Sequence, residues 1–406
     1  MIWDSREVTL NFCNVIAILA LLIAPLSSAH AAEESRVTFW YPEVGAPGYM
    51  EGLLSEFTRS SGIAVDKAII SIDDLKVALV KQAKRDALPD VVLCPSDYIS
   101  LQQELKLSSI PKSLRTFDIS TDHWRTTSIR DIVYGIPMIS GNHLMLLYNK
   151  LLVDKVPTTW EQFKELRKKS SGPIVGWNYR EMYWFAPFIL TLGGNLVNND
   201  RPALESQAVV KALVTYKELA DAGVVDPNCT YSCASADFYS GKYRFAIDGD
   251  TALEQAYRRL GDKLGIAKLP TLDGKPMRSY SSSYALIFPS ESLLGPKKTA
   301  LNRLATYLLS PEIQQLLWKQ ARRIPIITKD RAKLKATASG NEQQMLSGLA
   351  DSVVMPSVPA MTYAWESLRR GFILFMNGEL GAEAASQRMQ VEALRDLQKI
   401  SEGGKR

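Results

Sequence analysis

The sequence predicts an α/β protein built on open, mainly parallel sheets with helices on both faces. Two observations carry that prediction. Between residues 36 and 93, strand-like and helix-like segments alternate in the order β-α-β-α-β, which suits parallel strands joined by crossover helices. Beyond them, capped amphipathic helices keep alternating with short apolar runs, and 406 residues is enough chain for two domains of ordinary size.

Taken in order, Arg36 to Trp40 reads as a strand, followed by a loop holding Pro42, Gly45, Pro47 and Gly48. A helix then carries Met50, Leu53, Leu54 and Phe57 on one face and stops at Gly62. Ala64 to Ile70 is the next strand, and Asp73 is placed to cap a helix burying Leu75, Leu79 and Ala83. Val91 to Leu93 closes the unit. Ligands of such sheets bind beyond the carboxyl ends of the strands, here Trp40 to Gly48 and Cys94 to Tyr98. From Gly135 an extended run continues through Leu144 to Tyr148. Thr158 and Glu161 form a capping box for a helix through Lys169. Gln207 to Ala222 is amphipathic, with Val209, Leu213, Tyr216 and Ala220 inward and Gly223 as its stop. Tyr280 to Phe288 is a strand, Ala300 to Leu309 a helix, and Ser310-Pro311 a cap with proline at the first helical position. A last helix follows Pro359 and puts Trp365 and Arg369 on one face.

The apolar run Val15 to Leu26 is short for a membrane span, and Ala29-His30-Ala31-Ala32 is a small-residue cleavage pattern. Soluble export with a mature start at or next to Ala32 is the expectation, although Arg6 is offset by Asp4 and Glu7. The net charge of +5 is spread along the chain, which argues against a nucleic-acid partner. Past the leader three cysteines remain. Cys229 and Cys233 bracket a short loop that suits a disulfide in an oxidising compartment, with two free thiols as the competing reading. Only His123 and His143 remain and neither is near the cysteines, so no metal site is expected.

Several stretches share one pattern. Tyr148-Asn149-Lys150 is followed by Pro157-x-Thr159-Trp160-x-x-Phe163. Phe238, Gly241 and Ala246-Ile247 form a strand entry. Ser310-Pro311-Glu312 with Gln315 and Trp318 leads into Arg323-Ile324-Pro325, and Met355 to Trp365 completes the set. Together they resemble the bacterial extracellular solute-binding proteins of family 1, the maltose-binding type of sugar ABC importer, over nearly the whole chain past the leader. The resemblance implies the type II periplasmic binding protein fold, with two discontinuous lobes, each a central sheet flanked by helices. It places three hinge crossovers near Ser140 to His143, Tyr280 to Ser283 and Ile326 to Lys329. The expected division is residues 1–31 as signal peptide, 32–140 with 283–327 as the N-terminal lobe, and 141–282 with 328–406 as the C-terminal lobe. It further implies a periplasmic monomer without cofactor or chemistry of its own. Such a protein closes on a mono-, di- or short oligosaccharide by hinge motion and delivers it to an inner-membrane ABC permease.

By the same resemblance Trp365 stacks on the ligand, Glu181 and Tyr183 contact it, and Asp97 bonds it. Chemically, a ring covers the C–H face of a sugar, while carboxylates and the Arg369 fork meet its hydroxyls. Each residue has a second reading: Leu368 and Phe372 continue the spacing of Trp365 as a buried face, and Asp97 is placed to cap a turn. The chain also departs from the family. Cys94 replaces one stacking tryptophan, and Asp250-Thr251 stands where another is found. Glu43 is the acid nearest the first-loop charged pair, and Asn142 or His143 replaces an acid at the first crossover. Fewer rings point to a shorter sugar or another solute. A glycerol phosphodiester or polyamine ligand, read by Arg180 and Arg369, is the alternative within the fold. An exported glycosidase would use Asp248, Asp250 and Glu181 as carboxylates, but Asp248-Gly249-Asp250 is also ordinary turn chemistry.

Overall fold

The computed structural model describes residues 35–403, so the expected signal peptide lies outside the described residues. In chain order the strands of the two main sheets are β1 (Arg36–Tyr41), β2 (Ala64–Ile69), β3 (Val91–Pro95), β4 (Gly135–Gly141), β5 (Leu144–Asn149), β6 (Val175–Gly176), β7 (Phe245–Gly249), β8 (Leu264–Ala267), β9 (Tyr280–Ile287), β10 (Ile324–Pro325) and β11 (Val353–Val354). The first sheet runs β10-β4-β9-β3-β1-β2, with β11 beside the start of β9, and the second runs β8-β5-β7-β6.

Parallel pairing joins β2 to β1 and β1 to β3, as the opening β-α-β-α-β order requires. It recurs in β7 with β6 and β9 with β11, while the remaining ladders are antiparallel. The sheets are therefore mixed rather than mainly parallel. A strand that re-enters a sheet from the other half of the molecule carries no crossover helix, so nothing compels it to run parallel. The extended run from Gly135 to Tyr148 is likewise two strands in two sheets. The chain passes between them through Asn142 and His143 alone, with Asn142 at φ 50°. It returns along Tyr280–Ile287, and it leaves the first sheet again after β10, through the helix Thr328–Thr337.

Two helix starts differ from expectation. Ser71, not Asp73, caps the helix Ile72–Ala83, its side chain accepting from the Asp74 amide. Thr159, not Thr158, caps Trp160–Lys168 and accepts from Gln162 N, while Gln162 Oε1 accepts from Thr158 N at 2.8 Å. In both, the side chain that reaches the third helical amide wins over its neighbour.

Alternation along the strands builds a core on each side of each sheet. Val37, Phe39 and Tyr41 of β1 pack with Met50, Leu54 and Phe57, while Val92 and Cys94 of β3 face Leu75 and Leu79. In β5, Leu144 and Leu146 join one cluster and Met145 and Leu147 another. The larger cluster is centred on Tyr216, fully buried against Tyr179, Phe185, Phe188 and Phe372. Among the described residues no helix is long and apolar enough to cross a membrane.

Candidate functional site

The helix Pro359–Met376 starts on proline and buries Ala360, Met361, Ala364, Leu368 and Phe372 in the large core. Trp365 stands at the edge of that face, half-buried, so the apolar stripe divides: Leu368 and Phe372 are core and Trp365 borders the groove between the sheets. Its ring lies 6.2 Å from Tyr183 and 6.1 Å from Tyr280, centroid to centroid. The Tyr183 ring continues to Trp184 at 6.2 Å, and Trp184 to Tyr231 at 6.2 Å. Trp365, Tyr183, Trp184 and Tyr231 thus form one row of neighbouring rings, and Tyr280, buried at the start of β9, backs Trp365. The Trp184 indole N–H donates to Ile247 O at 2.7 Å, which fixes its plane.

Tyr183 does not aim its hydroxyl at the groove. It donates to the carbonyls of Asn142 and of Tyr280, the latter at 3.2 Å, and so ties two of the crossovers together. Burial raises its pKa well above the usual phenol range, and the carboxylates of Asp250 and Asp97 add to the effect. The Tyr183 hydroxyl is thus spent within the fold, on the crossovers. Glu181 caps the helix Met182–Thr191, accepting from Tyr183 N at 3.5 Å, and is exposed.

Across the groove, Asp97 sits half-buried on the 3-10 turn Ser96–Leu101 that follows β3. Burial raises its pKa, opposed by the Lys76 ammonium. Lys76, Asp97 and Ser100 face Thr362, Trp365 and Glu366 around a cavity of about 40 Å³. That is room for about one water and not for a pyranose ring. Thr362 Oγ1 donates to Ser100 Oγ at 3.1 Å, and Ser357 Oγ donates to Thr126 O, so the two halves touch directly here. The groove is shut at this end.

Three expected site residues lie elsewhere. Arg369 is exposed and paired with Glu366 at 3.0 Å, drawn along its own helix because an i−3 carboxylate is within easier reach than the groove. Glu43 is exposed on the loop after β1 and contacts none of the other six. Asp250 is fully buried: Oδ1 accepts from Asn142 N at 2.9 Å and lies 3.8 Å from the Arg323 guanidinium. Arg323 in turn stacks over the Tyr284 ring at 5.2 Å. Asp250 is therefore a strut holding the first crossover, because the Asn142 amide and the buried Arg323 both need an acceptor. A Cβ on Gly141, at φ 125°, would sit 2.0 Å from Asp250 Oδ2, so the strut requires glycine there. Asp248 is also buried, with its pKa pushed up to about 7 by burial and by Asp250.

The structure brings together Trp365, Tyr183 and Asp97, with Glu181 at the head of the Tyr183 helix. Sequence reading gave no place at the site to Lys76, which borders the cavity beside Trp365, or to Trp184 and Tyr231, which extend the row of rings. Tyr231 had a signal, an aromatic inside a Cys-x-x-x-Cys loop, whereas Lys76 had none. Cys229 and Cys233 are bonded, with Cα atoms 5.6 Å apart, and Cys94 is a buried free thiol. Among the described residues no group of three or more His, Cys, Asp or Glu is placed to hold a metal ion.

Comparison with known proteins bears on this geometry. Residues 52–342 match a family model described as bacterial extracellular solute-binding protein. Among solved structures, the fold is similar to the maltose/maltodextrin-binding domain MalE from Bdellovibrio bacteriovorus, determined bound to maltotriose. The TM-score is 0.80 at 22% identity, covering 89% of this chain and 100% of that one. At that identity the likeness speaks for the fold.

Proposed function

The chain belongs to the bacterial extracellular solute-binding proteins, and from that premise we propose that its solute is a carbohydrate of one to a few units, passed to an inner-membrane ABC permease. The observation that carries the reading is the row of rings from Trp365 through Tyr183 and Trp184 to Tyr231. Sugars present C–H faces to aromatic rings and hydroxyls to carboxylates, and Asp97 and Glu181 border the row. The MalE neighbour, bound to maltotriose, supports the same class. The protein is read as a periplasmic monomer freed from its signal peptide, with lobes of residues 32–140 plus 283–327 and 141–282 plus 328–406. Ligand contacts on both lobes would favour the closed form over the open one.

Two competing readings draw on residues engaged elsewhere in the fold. A glycosidase built on Asp248 and Asp250 would need both at the ligand, and both are buried in the fold. A phosphodiester site would draw on Arg180 and Arg369, and Arg369 is already paired with Glu366. The test is a thermal-shift screen of mono-, di- and malto-oligosaccharides beside glycerol phosphodiesters and polyamines. A sugar should raise the melting temperature in proportion to the logarithm of its concentration and be recovered intact by mass spectrometry. A rise with only the phosphodiesters or polyamines would overturn the carbohydrate reading, and cleavage of the sugar would overturn the binding-only one.

A further inference from the structure

We propose that the Cys229–Cys233 disulfide is a positioning device for the site: it holds Tyr231 against Trp184, so that Tyr231 forms the far end of the ligand platform and sets how long a sugar the protein grips. The inference rests on the carbohydrate reading above and goes beyond it to a covalent determinant of specificity.

The bridge closes a loop of only five residues, with Tyr231 at its centre and Cα atoms 5.6 Å apart at its ends. The conformational entropy a crosslink removes from the unfolded chain grows with the loop it closes, so this one contributes near the low end of the range. What it restrains is local. Cys229 is buried, and its carbonyl accepts from Tyr179 N at 3.2 Å, which bolts that end to the segment leading into Glu181, Tyr183 and Trp184. Cys233 lies in the first turn of the helix Tyr231–Tyr239. That helix has no side-chain cap, since Thr230 Oγ1 bonds Ser232 Oγ rather than a free amide. The disulfide therefore supplies the tie that an N-cap does not.

Tyr231 is unusual for what it touches. It is 44% exposed, yet its ring stands edge-on to Trp184 at an interplanar angle of 72°, and its phenol lies near Thr251. Thr251 stands just after β7, where the resembled family carries a stacking ring and this chain has none. Tyr231 brings a ring near Thr251 from a different element. An exposed aromatic at a helix start would sample several rotamers if only one ring edge held it. Tethering both sides of its backbone limits that freedom before ligand arrives, which is how preorganisation raises affinity.

The experiment compares oxidised wild type, wild type kept reduced, Cys229→Ser/Cys233→Ser and Tyr231→Ala. Each is titrated with glucose, maltose and maltotriose by calorimetry and by tryptophan fluorescence, and each is melted without sugar. The expected result is a loss of about tenfold in affinity for maltotriose on reduction or serine replacement, with little loss for the shortest sugar that binds. In the Tyr231→Ala background, removing the disulfide should change nothing further. A lowered melting temperature with unchanged affinities would overturn the proposal, as would losses that add to that of Tyr231→Ala. The ligand-free arm is near-ultraviolet circular dichroism, in which reduction should weaken the Trp184–Tyr231 signal in wild type and not in Tyr231→Ala. An unchanged spectrum also overturns it. If wild type binds none of the three sugars, the carbohydrate reading fails for this class, and the dichroism still decides whether the bridge positions Tyr231.

Discussion

Trp365 and Phe372 sit two turns apart on one helix and have different surroundings, half-exposed at the groove and fully buried against Tyr216 respectively. Trp365→Ala should leave the melting temperature close to wild type while weakening sugar binding by about 2 kcal/mol or more, roughly thirtyfold. Phe372→Ala should do the reverse, costing about 3–5 kcal/mol of stability with affinity held. If Trp365→Ala melts as early as Phe372→Ala and binds normally, the ring belongs to the core. Asp248 gives a prediction in pH. Its carboxyl is pushed up from 3.8 to about 7 by burial, so the folded state holds a proton that the unfolded state has released. The buried charge costs nothing below pH 3.8, and its cost grows until about pH 7 and is constant above. Asp248→Asn keeps the acceptor for Gly249 N and abolishes the titration. The variant should therefore gain on wild type in melting temperature from pH 4 to pH 7 and then run parallel to it. His123, held near 4 by burial, loses stability as pH falls below 6.5, the opposite sign. That effect is common to both proteins and cancels in the difference, so a constant gap across the range would show that Asp248 is ionised throughout.

At the scale of elements, the strand ends matter more than the strands. Asn142 and His143 are all that separate two sheets, and Asp250, Tyr183 and Arg323 converge there through the Asn142 amide and carbonyl and a buried ion pair. Asp250→Ala leaves Arg323 buried without its carboxylate, which should destabilise the protein by about 3–5 kcal/mol. Equilibrium denaturation checks this. A stable Asp250→Ala that has lost sugar affinity would instead make Asp250 a ligand contact whose burial here reflects closure. Much of this scale was legible beforehand: the helix Tyr49–Ser61 with its Gly62 stop, the Ser310-Pro311 start and the aromatic helix after Pro359 all occur where periodicity and capping put them. Those are local signals, carried within one turn of chain. The cap at Ser71 was missed because neighbouring polar residues compete for the same amides, and backbone geometry rather than residue type chooses between them.

For the whole molecule, contacts of Thr362 with Ser100 and Ser357 with Thr126 join the two halves at one end of the groove. With about 40 Å³ left beside Trp365, a sugar can reach that ring only if the halves part. Small-angle scattering should accordingly show a larger radius of gyration without sugar, shrinking toward this structure at saturating maltotriose. Binding without any change in size would rule out hinge closure. The sequence by itself determined the class of fold and the family, and it singled out the paired cysteines and Trp365 as candidates, because each is written in patterns of a few consecutive residues. Only the tertiary structure decided that Arg369 turns to its own helix, that Asp250 braces a crossover, that Lys76 borders the cavity beside Trp365, and that Trp184 and Tyr231 extend its row of rings. Those outcomes depend on which segments meet at the ends of two separate sheets. Residues far apart in the chain compete there for the same few donors, acceptors and ring faces, and no local pattern records the winner.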